Sequence, residues 1–252
     1  KTATTTTPSG TTGASTTAVQ ASTNSSLRLE AGEIAVTSGW RKVTFANTYY
    51  KPIVVTGPVS MKDQAPVTVR LRNITSTGFE IRLIPWSYQR TSHGTETISY
   101  LVMEQGSHTL ADGSRIEAGS FTGSTGLSTV ALKSSFTRTP VLLTAITSCN
   151  DAEAISGRVL PVAKTGFNYT FRVQERRSLR AHANETVHYV AWEPGTGLIG
   201  TARFETAVTT QSITSAWKAV ALQSTFKQSP LLFADMQSFA ELDPSTLRVQ
   251  QT

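Results

Sequence analysis

The sequence predicts an all-β fold: tandem antiparallel β-sandwich domains of about six strands each, behind a Thr/Ser-rich N-terminal segment. Three observations predict it. The first is a long internal repeat. Gly78-Phe79-Glu80-Ile81 returns as Gly166-Phe167-Asn168-Tyr169, and Glu96-Thr97-Ile98-Ser99-Tyr100 returns as Glu185-Thr186-Val187-His188-Tyr189. His93, three residues before the first Glu-Thr, has its partner in His182. A period of about 88 residues is too long for a solenoid or propeller unit, so each copy is one small domain. The second is alternation: Val67, Val69 and Leu71 interleave with Thr68, Arg70 and Arg72, and Phe79, Ile81 and Leu83 with Glu80 and Arg82. The third is composition. Hydrophobic residues make up 38% and charged residues 16% of the 252. With Thr and Ser abundant, that profile suits β-rich extracellular modules better than helical enzymes.

Four zones follow in order. Residues 1–26 are a Thr/Ser-rich linker or donor segment, too poor in large apolar side chains to offset their ordering entropy alone. Within them, Thr16-Thr17-Ala18-Val19-Gln20 has the β-branched content of an added strand. Residues 27–112 form repeat one and residues 113–203 repeat two. Turn residues separate the expected strands at Gly57-Pro58, Ser76-Thr77-Gly78, Asp112-Gly113 and Lys164-Thr165-Gly166. Phe79 and Phe167, Tyr100 and Tyr189, and Val43 and Val130 are expected at equivalent core positions, and no segment shows a helical period. Residues 204–252 are an incomplete third repeat. Trp217, Val220, Leu222, Phe226 and Pro230 follow Leu127, Val130, Leu132, Phe136 and Pro140 at a spacing of about 90 residues. The match runs to Arg248-Val249, equivalent to Arg158-Val159, without the Gly-Phe and Glu-Thr strands. The expectation is a piece of a longer repeat protein, or a half-domain completed by another chain, with residues 14–26 of a neighbour as the added strand.

Charge and cysteine usage narrow the function. The net charge of +6 comes from scattered Lys and Arg with no run and no aromatic platform, which argues against specific nucleic-acid binding. One cysteine, Cys149, permits no intrachain disulfide framework and reads as an inert, small apolar side chain. No apolar run is long enough to span a membrane. No nucleophile elbow, zinc-protease helix motif or phosphate loop occurs, so the chain reads as no enzyme, with no cofactor and no metal.

Trp40, Val43, Phe45, Tyr49 and Pro52-Ile53-Val54-Val55, followed by Gly78-Phe79 and Trp86-Ser87-Tyr88, resemble the pattern of H-type lectin domains. The copies also resemble repeats of large secreted bacterial proteins, through His93 to Tyr100 and then His108-Thr109-Leu110-Ala111-Asp112-Gly113. The lectin resemblance implies six-stranded sandwiches that trimerise and bind galactose-type sugars. By that resemblance Trp86, Tyr88 and Arg72 become the carbohydrate-binding candidates, converging at one exposed edge. Repeat two departs there, with Glu175, Arg176 and Arg177 in place of the tryptophan.

Each candidate also has a plain structural role. A tryptophan near a strand end serves equally well as a half-buried rim residue. His93, Glu96 and Tyr100, with His182, Glu185 and Tyr189, define the recurring strand. A histidine and glutamate three apart on a strand point to opposite faces, so they do not hold one ion. Glu96 and Glu185 are therefore expected to accept hydrogen bonds from loop backbone or from a neighbouring copy. Asp63 and Asp151 sit in loops without the acidic cluster of a calcium site. The function expected is surface attachment by a non-catalytic extracellular (secreted, cell-surface or virion-surface) protein that binds glycans or cell-surface polysaccharide. The alternative is a structural subunit of an extracellular filament, sheath or virion surface. Self-association, head-to-tail or trimeric, is the expected partner contact.

Overall fold

A computed structural model describes residues 16–17, 27–89, 91–177, 181–210, 213–238 and 243–250. The fold is all-β. The strands of the first part are β1 (Thr16–Thr17), β2 (Leu29–Val36), β3 (Arg41–Thr44), β4 (Pro52–Thr56), β5 (Val59–Ser60), β6 (Val67–Thr75), β7 (Gly78–Pro85), β8 (Glu96–Glu104) and β9 (Gly106–Thr109). They continue with β10 (Arg115–Gly123), β11 (Ser128–Ala131), β12 (Val141–Ile146), β13 (Ile155–Ala163), β14 (Gly166–Val173) and β15 (Glu185–Trp192). The last are β16 (Gly195–Ile199), β17 (Ala202–Thr206) and β18 (Arg248–Val249).

Both repeats use the same topology. In repeat one β2-β8-β4 form one antiparallel sheet and β3-β7-β6 the other; in repeat two β10-β15-β12 and β11-β14-β13 do the same. Registers agree residue for residue. Val43 lies opposite Phe79 as Val130 lies opposite Phe167, and Gly32 opposite Tyr100 as Gly119 opposite Tyr189. The sheets of each repeat meet through an aromatic contact across the core: Phe79–Tyr100 at 5.6 Å and Phe167–Tyr189 at 5.4 Å between ring centroids. The glycine opposite each tyrosine has a physical reason. A Cβ on Gly32 or Gly119 would lie 2.7 or 2.5 Å from the tyrosine hydroxyl, so the ring lies flat over bare backbone.

The expected alternation fails on β6. Thr68 and Arg70, placed by period on the polar face, are 6% and 0% exposed. The reason is cover from repeat two, where Ile155 O accepts from Thr68, and Glu185 and the 148–153 loop accept from Arg70. The outer face of the β10-β15-β12 sheet, with Ile116, Ala118, Leu143, Ala145, Val190 and Trp192, joins the same apolar cluster as the core of repeat one. Polar faces that a single sandwich would leave in water are buried where the repeats meet.

The third segment is half-built. Residues 218–221, equivalent to β3 and β11, form no strand, although β3 and β11 are held by pairing with β7 and β14. Among the described residues of 202–250 only Ala202–Thr206 and Arg248–Val249 are in strands, the latter in parallel with β5. The expected N-terminal strand is present over Thr16–Thr17, and it adds to β2 of repeat one rather than to the third segment. The rest of residues 14–26 lies outside the described residues.

Candidate functional site at the junctions between repeats

The recurring Glu-Thr strand starts with a carboxylate that folds its own loop. Glu96 is fully buried and accepts from Lys62 N at 3.0 Å, Asp63 N at 2.9 Å and Ser60 Oγ. Glu185, 1% exposed, accepts in the same way from Asn150 N at 3.0 Å, Asp151 N at 3.3 Å and Ser148 Oγ. A carboxylate taking several donors at once pins the loop that precedes β6 or β13.

Each pinned loop then receives an arginine from another repeat. Arg70 of β6, fully buried, donates Nη2 to Glu185 Oε1 at 2.5 Å, to Ser148 O at 3.2 Å and to Asp151 O at 3.3 Å. Its Nη1 reaches Glu153 O at 3.4 Å. Arg248 of the third segment repeats the pattern on repeat one. It donates to Glu96 Oε1 at 2.7 Å, to Ser60 O at 2.7 Å, to Asp63 O at 2.8 Å and to Ala65 O at 3.0 Å. A hydroxyl accompanies each arginine: Thr68 Oγ1 donates to Ile155 O at 2.7 Å and Thr246 Oγ1 to Val67 O at 3.1 Å. Arg158, the equivalent residue of repeat two, points to the third segment, donating to Ser245 O at 2.8 Å and Asp243 O at 3.1 Å. Repeat one thus holds repeat two, repeat two holds the third segment, and the third segment holds repeat one. The contacts close a ring. Residues of all three segments, among them Thr56, Gly57, Thr144, Ala145, Ala234 and Asp235, line one cavity.

Electrostatics follow from this burial. Desolvation alone would raise the Glu96 carboxyl, but the donors from Ser60, Lys62 and Asp63, with Arg248, hold it below the usual carboxylate range. Burial lowers Arg248 and Arg158, in the first case against the opposing pull of Glu96. Asp235 is pushed up to about 6, chiefly by desolvation, despite hydrogen bonds from Thr144 and Met236. His188 is lowered to about 4 by burial, and its Nδ1 accepts from Val54 N of repeat one at 3.0 Å.

The structure does not bring the three sugar-site candidates together. Trp86 is 2% exposed and packs with Ile84 and Ala154 in the seam between repeats, which removes it as an open platform. Tyr88 lies beside that seam and donates its hydroxyl to Glu175 Oε2 at 2.7 Å, with Arg176 over its ring. Ser87 N donates to the buried Gln174 at 2.7 Å in the same seam. Arg72 is elsewhere, with its guanidinium 4.0 Å from the Trp40 ring centroid and its Nε 2.6 Å from Glu80 Oε2. The tryptophan is buried because the second repeat covers it, something a single-domain pattern does not encode.

The other recurring residues divide between core and loop. Tyr100 and Tyr189 are core rings, and Tyr189 donates to Glu117 Oε1 at 2.7 Å. His93 is 6% exposed, with its ring nitrogens near Ala65 O and Gly94 O. His182 is 9% exposed and packs edge-on against Phe171. Period reading missed Arg70, Arg158 and Arg248. Their signal was an arginine recurring at one repeat position on the polar face of an alternating strand, where a solvated face is the ordinary explanation.

No family model matches the chain, and no solved structure matches it. Among curated proteins the chain is similar to Halomucin of Haloquadratum walsbyi (strain DSM 16790 / HBSQ001), with 29% identity over 180 residues. The match covers 67% of this chain and 2% of that protein, so the chain spans a small part of its relative's length.

Proposed function

We propose that the chain is a non-catalytic, extracellular building block of a surface layer, whose repeats hold one another in fixed register. One observation carries this reading. The arginine that recurs in all three segments, Arg70, Arg158 and Arg248, and the glutamate that recurs in both full repeats, Glu96 and Glu185, are used in loops and junctions between segments. The likeness to Halomucin supports an extracellular setting, since that protein's name is that of a mucin. The composition, with Thr and Ser abundant and charge at 16%, agrees. The lectin resemblance supports the sandwich rather than sugar binding, because Trp86 is enclosed. Immunogold labelling of the source cells or particles tests the reading, together with a glycan array of the purified chain. The expected outcome is label on the outer surface and no saturable glycan signal. Label confined to the cytoplasm would overturn the extracellular reading, and glycan binding lost in Arg72→Ala would restore the attachment reading.

A further inference from the structure

The third segment already holds the shape of half a repeat. In repeat one Glu30 accepts from Ala46 N at 2.8 Å and Asn47 N at 3.3 Å; in repeat two Glu117 accepts from Lys133 N at 2.8 Å and Ser134 N at 2.5 Å. In the third segment Glu205 accepts from Gln223 N at 3.0 Å and Ser224 N at 2.7 Å. The loop that follows the second strand of each full repeat is therefore closed in the same way at its counterpart in the third segment. What differs is cover. Val43 and Phe45 are 2% and 6% exposed, and Leu132 is 9% exposed, where β3 and β11 are paired with β7 and β14. Val220 and Leu222, at the same repeat positions, are 54% and 45% exposed.

We propose that this face is a docking surface for a polypeptide segment with the chemistry of a repeat's second half: a Gly-Phe strand followed by a Glu-Thr-x-x-Tyr strand. Repeats one and two show how such a segment sits. Its Gly-Phe strand pairs with the backbone at Val220, as β14 pairs with β11 at Val130. Its tyrosine reaches Glu205, as Tyr189 reaches Glu117. Its glutamate lands on Arg158, as Glu185 lands on Arg70 and Glu96 on Arg248. Arg158 already points there: Asp243 O, one of its partners, is the counterpart of Glu153 O, which Arg70 contacts beside Glu185. Edge pairing supplies affinity and the Arg–Glu contact supplies register.

The probe is a fluorophore-labelled peptide with the sequence of residues 164–193, which carries Gly166-Phe167, Glu185 and Tyr189. Binding to the full chain is read by anisotropy, and hydrogen exchange reports on residues 213–237. The expected result is saturable binding with slowed exchange across that span. Glu185→Ala in the peptide weakens it by about tenfold or more. In an Arg158→Ala chain the two peptides bind alike, and Val220→Asp abolishes binding while the melting of repeats one and two is unchanged. The same sequence fused behind Thr252 gives a second reading free of peptide solubility. Exchange across residues 213–237 that stays fast in the fusion overturns the proposal. So does binding indifferent to Val220→Asp, or protection already present through dimerisation of the chain alone.

Discussion

Arg70 and Glu185 form a pair with both side chains at 0% exposure, and their energetics are asymmetric. A buried ion pair gains little over a well-packed apolar pair, because desolvation offsets most of the attraction. Breaking it from one side is another matter, since the remaining charge stays buried without its counterion. Arg70→Ala should therefore destabilise the chain by about 3–5 kcal/mol. Glu185→Ala should cost a similar amount, because it also frees the N–H groups of Asn150 and Asp151. The double variant Arg70→Met/Glu185→Leu should cost clearly less than the sum of the single changes. Urea unfolding of the four proteins gives the coupling directly. Additive losses would mean that the arginine acts through packing of its stem and not through Glu185.

At the scale of elements, the sheet edges explain what the sequence did and did not disclose. Strand existence was legible because core positions such as Phe79, Ile81 and Leu83 alternate on β7, and paired motifs 88 or 89 residues apart fixed the equivalence of the copies. The fate of the outer faces was not legible. Burial of Trp86, Thr68 and Arg70 depends on a second domain whose docking leaves no period in the chain. The edge strands β4 and β12 show the same dependence. Their outward N–H groups are taken by side chains of the next segment: Val54 N by His188, Leu142 N by Gln237 at 3.0 Å, and Thr144 N by Asp235 at 2.9 Å. Covering an edge in this way blocks pairing with foreign strands. It also makes the junctions sensitive to pH, with opposite signs. His188 is lowered from 6.5 to about 4, so the stability it gives is present above 6.5 and is lost as pH falls toward 4. Asp235 is raised from 3.8 to about 6, so its contribution is present below 3.8 and is lost as pH rises through 6. The two partly cancel in the native chain. In Asp235→Asn, urea midpoints should fall steadily from pH 6.5 to 4, and in His188→Gln they should rise over the same range. Parallel pH profiles in the two variants would show that neither group governs its edge.

For the whole molecule, the ring of contacts makes the third segment a closing piece although it is only half a repeat. It reaches back across the chain through Arg248, Thr246 and the parallel pairing of β18 with β5, while Asp235 and Gln237 hold the edge of repeat two. Repeats one and two share an extensive apolar seam, whereas the junction of the third segment with repeat one is largely polar. Such a closure is carried by few groups and should open before either sandwich unfolds. Arg248→Ala removes the guanidinium that joins Glu96 Oε1 to the carbonyls of Ser60, Asp63 and Ala65. The carboxylate keeps its donors from Ser60, Lys62 and Asp63, so repeat one should stay folded. The expected outcome is a larger radius of gyration by small-angle scattering and faster proteolysis within residues 207–250, with an unchanged far-UV dichroism spectrum. Arg158→Ala should release the same segment from repeat two, and the two changes together should free it from both. If scattering by the double variant matches that of the native chain, the ring is held by the strand contacts of β17 and β18 with the edge contacts of Asp235, Gln237 and Thr246, and the arginines serve only to order the loops they touch.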